Sequence, residues 1–211
     1  MALSEAIPGV ILAGGLSSRM GQDKARIRLG GASLLDHAAR RLHPQVSALA
    51  VNANGPVLFA PGGELPVFAD LDATRPGPLG GVLAALDHAR RFHPEARHVA
   101  TVPTDSPFFP ADLVARLARA VDMPERIAFA CSADGPHPVF ALWPVALAED
   151  LAAWLASGGA LRVRSYMERH GAREVSFPPV ETANGHLDPF FNINTPADLA
   201  AAETWLRVLE R

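Results

Sequence analysis

Cysteine is all but absent, with one residue, Cys131, in a chain of 211. A lone cysteine excludes an intramolecular disulfide and a Cys-rich metal site, which suits a reducing, cytoplasmic setting. Cys131 is expected in the core. Long apolar runs are missing too. No window approaches about eighteen uninterrupted apolar residues, because even the alanine-rich stretches are broken by Arg, Asp or His, so no membrane span is expected. The start, M-A-L-S-E-A-I-P-G, lacks a basic region and a sustained apolar stretch, so no secretory leader is expected. Nor is there an excess of one charge. The formal net charge is −3, without the basic field of nucleic-acid binders, so an anionic ligand has to be met by local charge. The eight histidines show no H-E-x-x-H spacing, no G-x-S-x-G elbow occurs, and no internal repeat is visible.

What is present is enough apolar material for a core. Hydrophobic residues make up 49%, and the 19 prolines and 17 glycines are scattered as punctuation. One α/β domain over residues 1–211 is the expectation.

The stretch that organises the rest is V-I-L-A-G-G-L-S-S-R-M-G-Q-D-K, Val10 to Lys24. An apolar run, Val10 to Ala13, reads as a buried strand that stops at Gly14-Gly15, in a loop ending with two cations, Arg19 and Lys24. Glycines let a backbone approach a ligand closely, Arg forks onto phosphate oxygens, and Lys supplies a point charge. This is a strand delivering a phosphate loop. It is not a P-loop, since Lys24 lies three residues after Gly21 and is followed by Ala25, leaving no hydroxyl for a magnesium ion. Glycines at 14, 15 and 21 also fail the G-x-G-x-x-G dinucleotide spacing.

Further strand ends should converge on the same place. In an open α/β sheet, ligands sit at the carboxyl ends of strands, so Val46 to Val51 would bring Asn52 beside Gly14, while Asn54-Gly55 reads as an ordinary turn. Pro66 to Ala69 is a short strand ending at Asp70. P-G-P-L-G-G, Pro76 to Gly81, reads as a glycine-rich approach to a helix N-terminus, where free N–H groups favour an anion or a polar ligand edge. His98 to Pro103 reads as a central strand followed by Asp105, a carboxylate suited to Mg²⁺, which takes one or two carboxylates plus substrate phosphates and keeps several waters. Ile127 to Ser132 and His137 to Trp143 suggest an antiparallel hairpin, with His137 in the core or turn. Arg162, Arg164 and Arg169 lie on a later helix, where such a set is usually a solvated face but could help meet an anionic acceptor. Pro178 to Pro189 reads as a long loop. In F-F-N-I-N-T-P-A-D-L, Phe190 to Leu199, Asn192 and Asn194 alternate with Phe191 and Ile193 along an expected strand, and Thr195 caps a C-terminal helix with Pro196 at its first position.

Four blocks in this order, L-A-G-G-L-S-S-R-M-G-Q-D-K, P-G-P-L-G-G, P-T-D-S-P, and the pair H-P-V-F-A-L with F-N-I-N-T-P-A-D-L, resemble the molybdenum cofactor guanylyltransferases. With V-N-A-N they span nearly the whole chain. The resemblance implies a three-layer α/β/α fold with a mostly parallel sheet and a short antiparallel portion, of the nucleotide-diphospho-sugar transferase type. It implies an enzyme that joins GMP from Mg-GTP to molybdopterin and releases pyrophosphate, with transient contact to molybdoenzyme-maturation proteins. Carried over residue by residue, Leu12, Ala13, Gly14 and Gly15 would line the nucleotide and Lys24 its phosphates. Asn52 and Asp70 would take the guanosine end and Asp105 the magnesium, completed by Asn194 and Asn192.

The chemistry agrees with these roles. A phosphate monoester is already a nucleophile at neutral pH, so positioning and charge neutralisation by Arg19, Lys24 and Mg²⁺ can suffice without a general base. Two rivals stand beside this reading: a sister enzyme using CTP or another NTP, which often carries L-A-A-G where this chain has L-A-G-G, and a non-catalytic nucleotide-binding adaptor.

Overall fold

A computed structural model describes residues 6–13, 27–57, 64–72, 77–158 and 162–209. Its centre is a seven-stranded sheet in the order β5-β4-β1-β6-β8-β7-β9. The strands are β1 (Gly9–Leu12), β4 (Leu49–Asn52), β5 (Val67–Phe68), β6 (His98–Pro103), β7 (Ala128–Ser132), β8 (Gly135–Pro144) and β9 (Arg173–Ser176). All neighbours pair parallel except β8, which runs antiparallel to both β6 and β7. The sequence-predicted hairpin is therefore the short antiparallel portion of a mostly parallel sheet.

The central strands are apolar on both faces because both faces are covered. On one side Val10, Val99, Ala141 and Trp143 pack with Val82, Ala85 and Leu86 of α2 (Pro78–Phe92), with Leu151 and Leu155 of α4 (Ala148–Ala156), and with Tyr166 and Met167 of α5 (Val163–Arg169). On the other, Ile11, Val51, Ala100, Val102 and Leu142 meet Leu35, Ala38 and Leu42 of α1 (Leu34–Leu42) and Leu113, Val114 and Leu117 of α3 (Leu113–Ala120). Successive residues of β1 and β8 go to opposite clusters, as a period of two requires. The result is helix, sheet, helix. Inside it, Trp143 Nε1–H donates to Thr101 Oγ at 2.9 Å, and that hydroxyl donates to the Val139 carbonyl at 2.7 Å, so the polar atoms of this contact between β6 and β8 are paired.

A third, smaller cluster joins the ends of the chain. Ile27, Leu29 and Leu34 pack with Phe108, Leu187, Ile193 and Ala202, the last from α6 (Pro196–Leu209). The short hairpin of β2 (Arg28–Leu29) and β3 (Ala32–Ser33) turns at Gly30-Gly31, and Ser33 caps α1 in a reciprocal box with Asp36. Two expectations fail. The stretch from Pro178 to Pro189 is not a plain loop: β10 (Val180–Thr182) and β11 (Gly185–Leu187) form an antiparallel hairpin within it. The F-F-N-I-N stretch forms no strand, because β6 is already flanked by β1 and β8 and offers no free edge. Among the described residues no helix is long and apolar enough to cross a membrane.

Candidate active site

Parallel strands end on one edge, and the register fixes how level they are. Leu12 pairs with Asn52 on one side and Pro103 on the other, and Asn52 pairs with Phe68, so the exits of β5, β4, β1 and β6 form one row. The Ala13 N–H donates to the Asn52 carbonyl at 2.8 Å, which carries the ladder one residue past β1. Gly14, Gly15, Arg19 and Lys24, which follow directly in the chain, lie outside the described residues.

Asn52 is 1% exposed, so its amide has to find partners within the protein. Its Nδ2 donates to Asp70 Oδ1 at 2.9 Å and lies 3.4 Å from the Phe68 carbonyl. Asn54 is more than a turn residue. Its Nδ2 donates to Asp70 Oδ2 at 2.8 Å and its Oδ1 accepts the Asp70 N–H at 2.8 Å. Two asparagines thus hold one carboxylate at the strand exits, and each carboxylate oxygen keeps a lone pair for a further donor.

The P-G-P-L-G-G block is not an approach to α2 but largely its first turn. The helix starts at Pro78, with Gly77 before it at φ 129°, a conformation that side chains on other residues rarely adopt. Gly81 explains the second glycine. A Cβ there would stand 2.7 Å from Asn52 Oδ1 and 3.3 Å from Leu12 Cδ2, so only glycine lets the helix start come down on the row of strand ends. Leu12, Asn52, Asp70 and the helix N-terminus are brought together as the sequence implies.

At the far side of the row, the buried Thr104 hydroxyl donates to the Leu12 carbonyl at 3.1 Å and ties the exit of β6 to that of β1. Asp105 follows, half-buried, with its Oδ1 fully covered. Its backbone carbonyl accepts the Ile193 N–H at 2.8 Å. That bond draws the segment with Asn192 and Asn194 to Asp105. Ile193 is buried, Asn192 exposed and Asn194 half-buried, so the expected alternation survives without a strand. Just beyond, Asp198 Oδ2 accepts the N–H groups of Asn194 and Thr195 at 2.9 and 2.8 Å, and the Asp198 N–H donates to Thr195 Oγ at 3.1 Å. Thr195 is the predicted cap.

A second polar group on this edge was hidden in the sequence. Ser132, at the end of β7, donates its hydroxyl proton to Asp188 Oδ2 at 2.5 Å and receives His137 Nε2 at 2.7 Å. An activated serine gives its proton to the histidine; here the proton goes to the carboxylate, so the trio is a clamp and not a nucleophile with its base. Asp188 Oδ1 also accepts the Phe190 N–H at 2.7 Å, and the His137 ring lies 4.5 Å from that of Phe190. Burial lowers the His137 pKa from its ordinary value, with the Asp188 charge opposing. The only sequence signals were an aspartate two residues before F-F-N-I-N and a histidine opening H-P-V-F-A-L, neither of which names its partner. Arg164 and Arg169 are taken up by Glu168 and Asp150, each at 2.9 Å, which is the solvated-face outcome.

Residues 9–174 match the MobA-like NTP transferase domain. A molybdenum cofactor guanylyltransferase of Sinorhizobium fredii is 50% identical over 203 residues, covering 96% of this chain and 93% of the relative. Among solved structures, molybdopterin-guanine dinucleotide biosynthesis protein A of Archaeoglobus fulgidus superposes with a TM-score of 0.69 at 20% identity, over 95% of this chain and 99% of that one. The 2-C-methyl-D-erythritol 4-phosphate cytidylyltransferase of Thermus thermophilus gives 0.66 at 19%, over 97% and 100%. The shared fold therefore does not choose the base, whereas identity along nearly the whole sequence does choose a family. The chain belongs to the MobA-like NTP transferases and, within them, to the molybdenum cofactor guanylyltransferases.

Proposed function

We propose that this chain, as one catalytic unit over residues 1–211, transfers GMP from Mg-GTP to molybdopterin and releases pyrophosphate. The observation that carries the reading is the 50% identity to a guanylyltransferase over 96% of the chain. The strand-end row supports it with suitable chemistry. Leu12, Ala13, Gly14 and Gly15 would line the nucleotide. Asp70, held by Asn52 and Asn54, would accept the N1–H and amino group of guanine, a donor pair that cytosine does not present. Arg19 and Lys24 would neutralise the triphosphate as the molybdopterin phosphate oxygen attacks the α-phosphorus and its bond to pyrophosphate breaks.

Asp105, Asn194 and Asn192 would hold Mg²⁺. Their donors are hard oxygens, and among the described residues no three His, Cys, Asp or Glu converge as a metal cage. That suits an ion that keeps waters and takes substrate phosphates. When bound, Mg²⁺ neutralises charge developing on the phosphates. The same reading places the chain in the cytoplasm, handing its product to molybdoenzyme-maturation proteins by transient contact.

The test is to incubate the protein with Mg²⁺, molybdopterin and each NTP in turn, following pyrophosphate. Release with GTP alone is expected. Release with CTP instead would make it the sister cytidylyl enzyme, and no release with any NTP would leave a nucleotide-binding adaptor.

A further inference from the structure

The edge that carries Asp105 also holds a cavity of about 290 Å³, lined by Ser132, Asp134, Pro179, His186, Asp188 and Pro189. It lies at the exit of β7, parallel to β6 two strands away, where the start of β8 runs past the last residue it pairs with on β6. Four residues lie between Asp188, in the cavity wall, and Ile193, bonded to Asp105. The five Cα-to-Cα steps span no more than about 18 Å, so cavity and metal candidate sit at the same end of the sheet within that reach.

The lining has a definite chemistry. Asp188 is clamped by the Ser132 hydroxyl and the Phe190 N–H, which fixes its carboxylate, while Asp134 lies exposed at the rim with its own N–H on Ser132 Oγ at 3.2 Å. The two carboxyls line the same cavity, and hydrogen bonding to Asp188, followed by that neighbour's charge, raises the Asp134 pKa from its ordinary value. Together the two carboxyls offer several acceptor lone pairs between the surfaces of Pro179 and Pro189. A flat heterocycle with adjacent N–H donors matches these acceptors, and the volume is near the lower end for small-molecule sites.

We infer that this cavity takes the pterin ring of the acceptor, with Asp188 and Asp134 receiving its N3–H and 2-amino group, so that the acceptor phosphate is left to reach toward Asp105. The inference rests on the guanylyl-transfer reading for the identity of the acceptor. It adds where the ring goes and which residues choose it. The carboxyl pair is to the pterin edge what Asp70 is proposed to be to guanine, because both rings display the same amino and ring N–H donors.

The test compares equilibrium binding of pterin with that of lumazine, which has a carbonyl in place of the 2-amino group, by fluorescence on the wild-type chain, Asp134→Asn and Asp188→Asn. Lumazine would set a carbonyl oxygen against these carboxylate acceptors where pterin offers a donor, so the wild type should prefer pterin by about tenfold. Both variants should lose that preference and raise the KM for molybdopterin about tenfold, with GTP affinity held within about twofold. Asp188→Asn can loosen the clamp, whereas exposed Asp134 can be changed without touching the fold, so Asp134→Asn decides. Equal binding of the two rings by the wild type, or full preference and unchanged KM in Asp134→Asn, overturns the assignment. Failure of the transfer reading looks different: the wild type would then release no pyrophosphate with GTP and molybdopterin.

Discussion

Replacing Gly81 by alanine sets two effects of opposite sign against each other. In a helix interior alanine is favoured over glycine by up to about 1 kcal/mol. Against that, the new Cβ would meet Asn52 Oδ1 at 2.7 Å and Leu12 Cδ2 at 3.3 Å. Asn52 cannot swing away freely, because it is buried and bound to Asp70 and the Phe68 carbonyl. Overpacking of this kind costs about 1–3 kcal/mol. The net loss is then about 0–2 kcal/mol, or roughly 0–8 °C in Tm for a chain of this size. The larger effect should be functional. Relief of the clash pushes the Asn52 amide off Asp70, and a hydrogen bond to a charged group is worth about 1.5–3 kcal/mol, so GTP affinity should fall about tenfold or more. Thermal unfolding and calorimetric GTP titration read both. A Gly81→Ala protein with a raised Tm and unchanged GTP affinity would refute the claim that the helix start must sit this close to the strand ends.

Three other perturbations probe different links. Asp105→Asn keeps the size of the side chain but not its charge, so Mg²⁺-dependent pyrophosphate release should drop about a hundredfold or more, and retained turnover would remove Asp105 from the site. Thr101→Val leaves the Trp143 indole N–H and the Val139 carbonyl unpaired in the core, which should cost about 1–3 kcal/mol, or roughly 2–12 °C in Tm, with GTP affinity unmoved; an unaltered Tm would contradict the burial argument. Burial lowers the pKa of both His137 and His88, so the folded state resists protonation that the unfolded chain accepts near pH 6.5. Stability should therefore fall as pH drops below about 6.5, and His137→Gln should flatten that slope; an equal slope in the variant would assign the pH dependence elsewhere.

Much of the row of strand ends was legible because its signals are local. A buried parallel strand must be apolar throughout, so the first polar or glycine residue marks its carboxyl end, and Asn52, Asp70 and Asp105 were read that way, whereas Leu12 came from the family resemblance. What composition could not show is contact across the chain. Ser132 and Asp188 stand 56 positions apart, and neither carries a mark of the other. The glycines from Gly77 to Gly81 do mark a helix N-terminus, but Gly81 lies inside the helix, where it signals close helix-to-strand approach. Alternation misled at Phe190 to Asn194, since period two describes which residues face inward but does not supply a neighbouring edge with which to pair. The β10–β11 hairpin was missed for the converse reason: its strands are short, mostly exposed and polar, and the Thr182 hydroxyl on the Gly185 carbonyl closes the turn without an apolar pattern.

The irregular segment from Asp188 to Asp198 shows how backbone outside any strand can still be placed firmly. Loops that carry function are usually more mobile than the elements they join. This one is tied to the rest of the fold at two points, Asp188 on Ser132 and the Ile193 N–H on the Asp105 carbonyl, and braced within itself by Asp198 on the N–H groups of Asn194 and Thr195. Each bond contributes only about 1 kcal/mol, but the spacing leaves no more than a few residues between anchors. Leu187 and Ile193 add apolar anchorage beside Ile27, Leu29 and Phe108. The match to the transferase domain ends at residue 174, and this segment lies wholly beyond it. It is nonetheless part of the core and not an appendage, because removing it would uncover those three residues together with the exit of β6. On the proposed reading, the amides for the metal and the wall of the pterin cavity ride on one tethered segment, so the donor and acceptor halves of the site are built as a single mechanical unit.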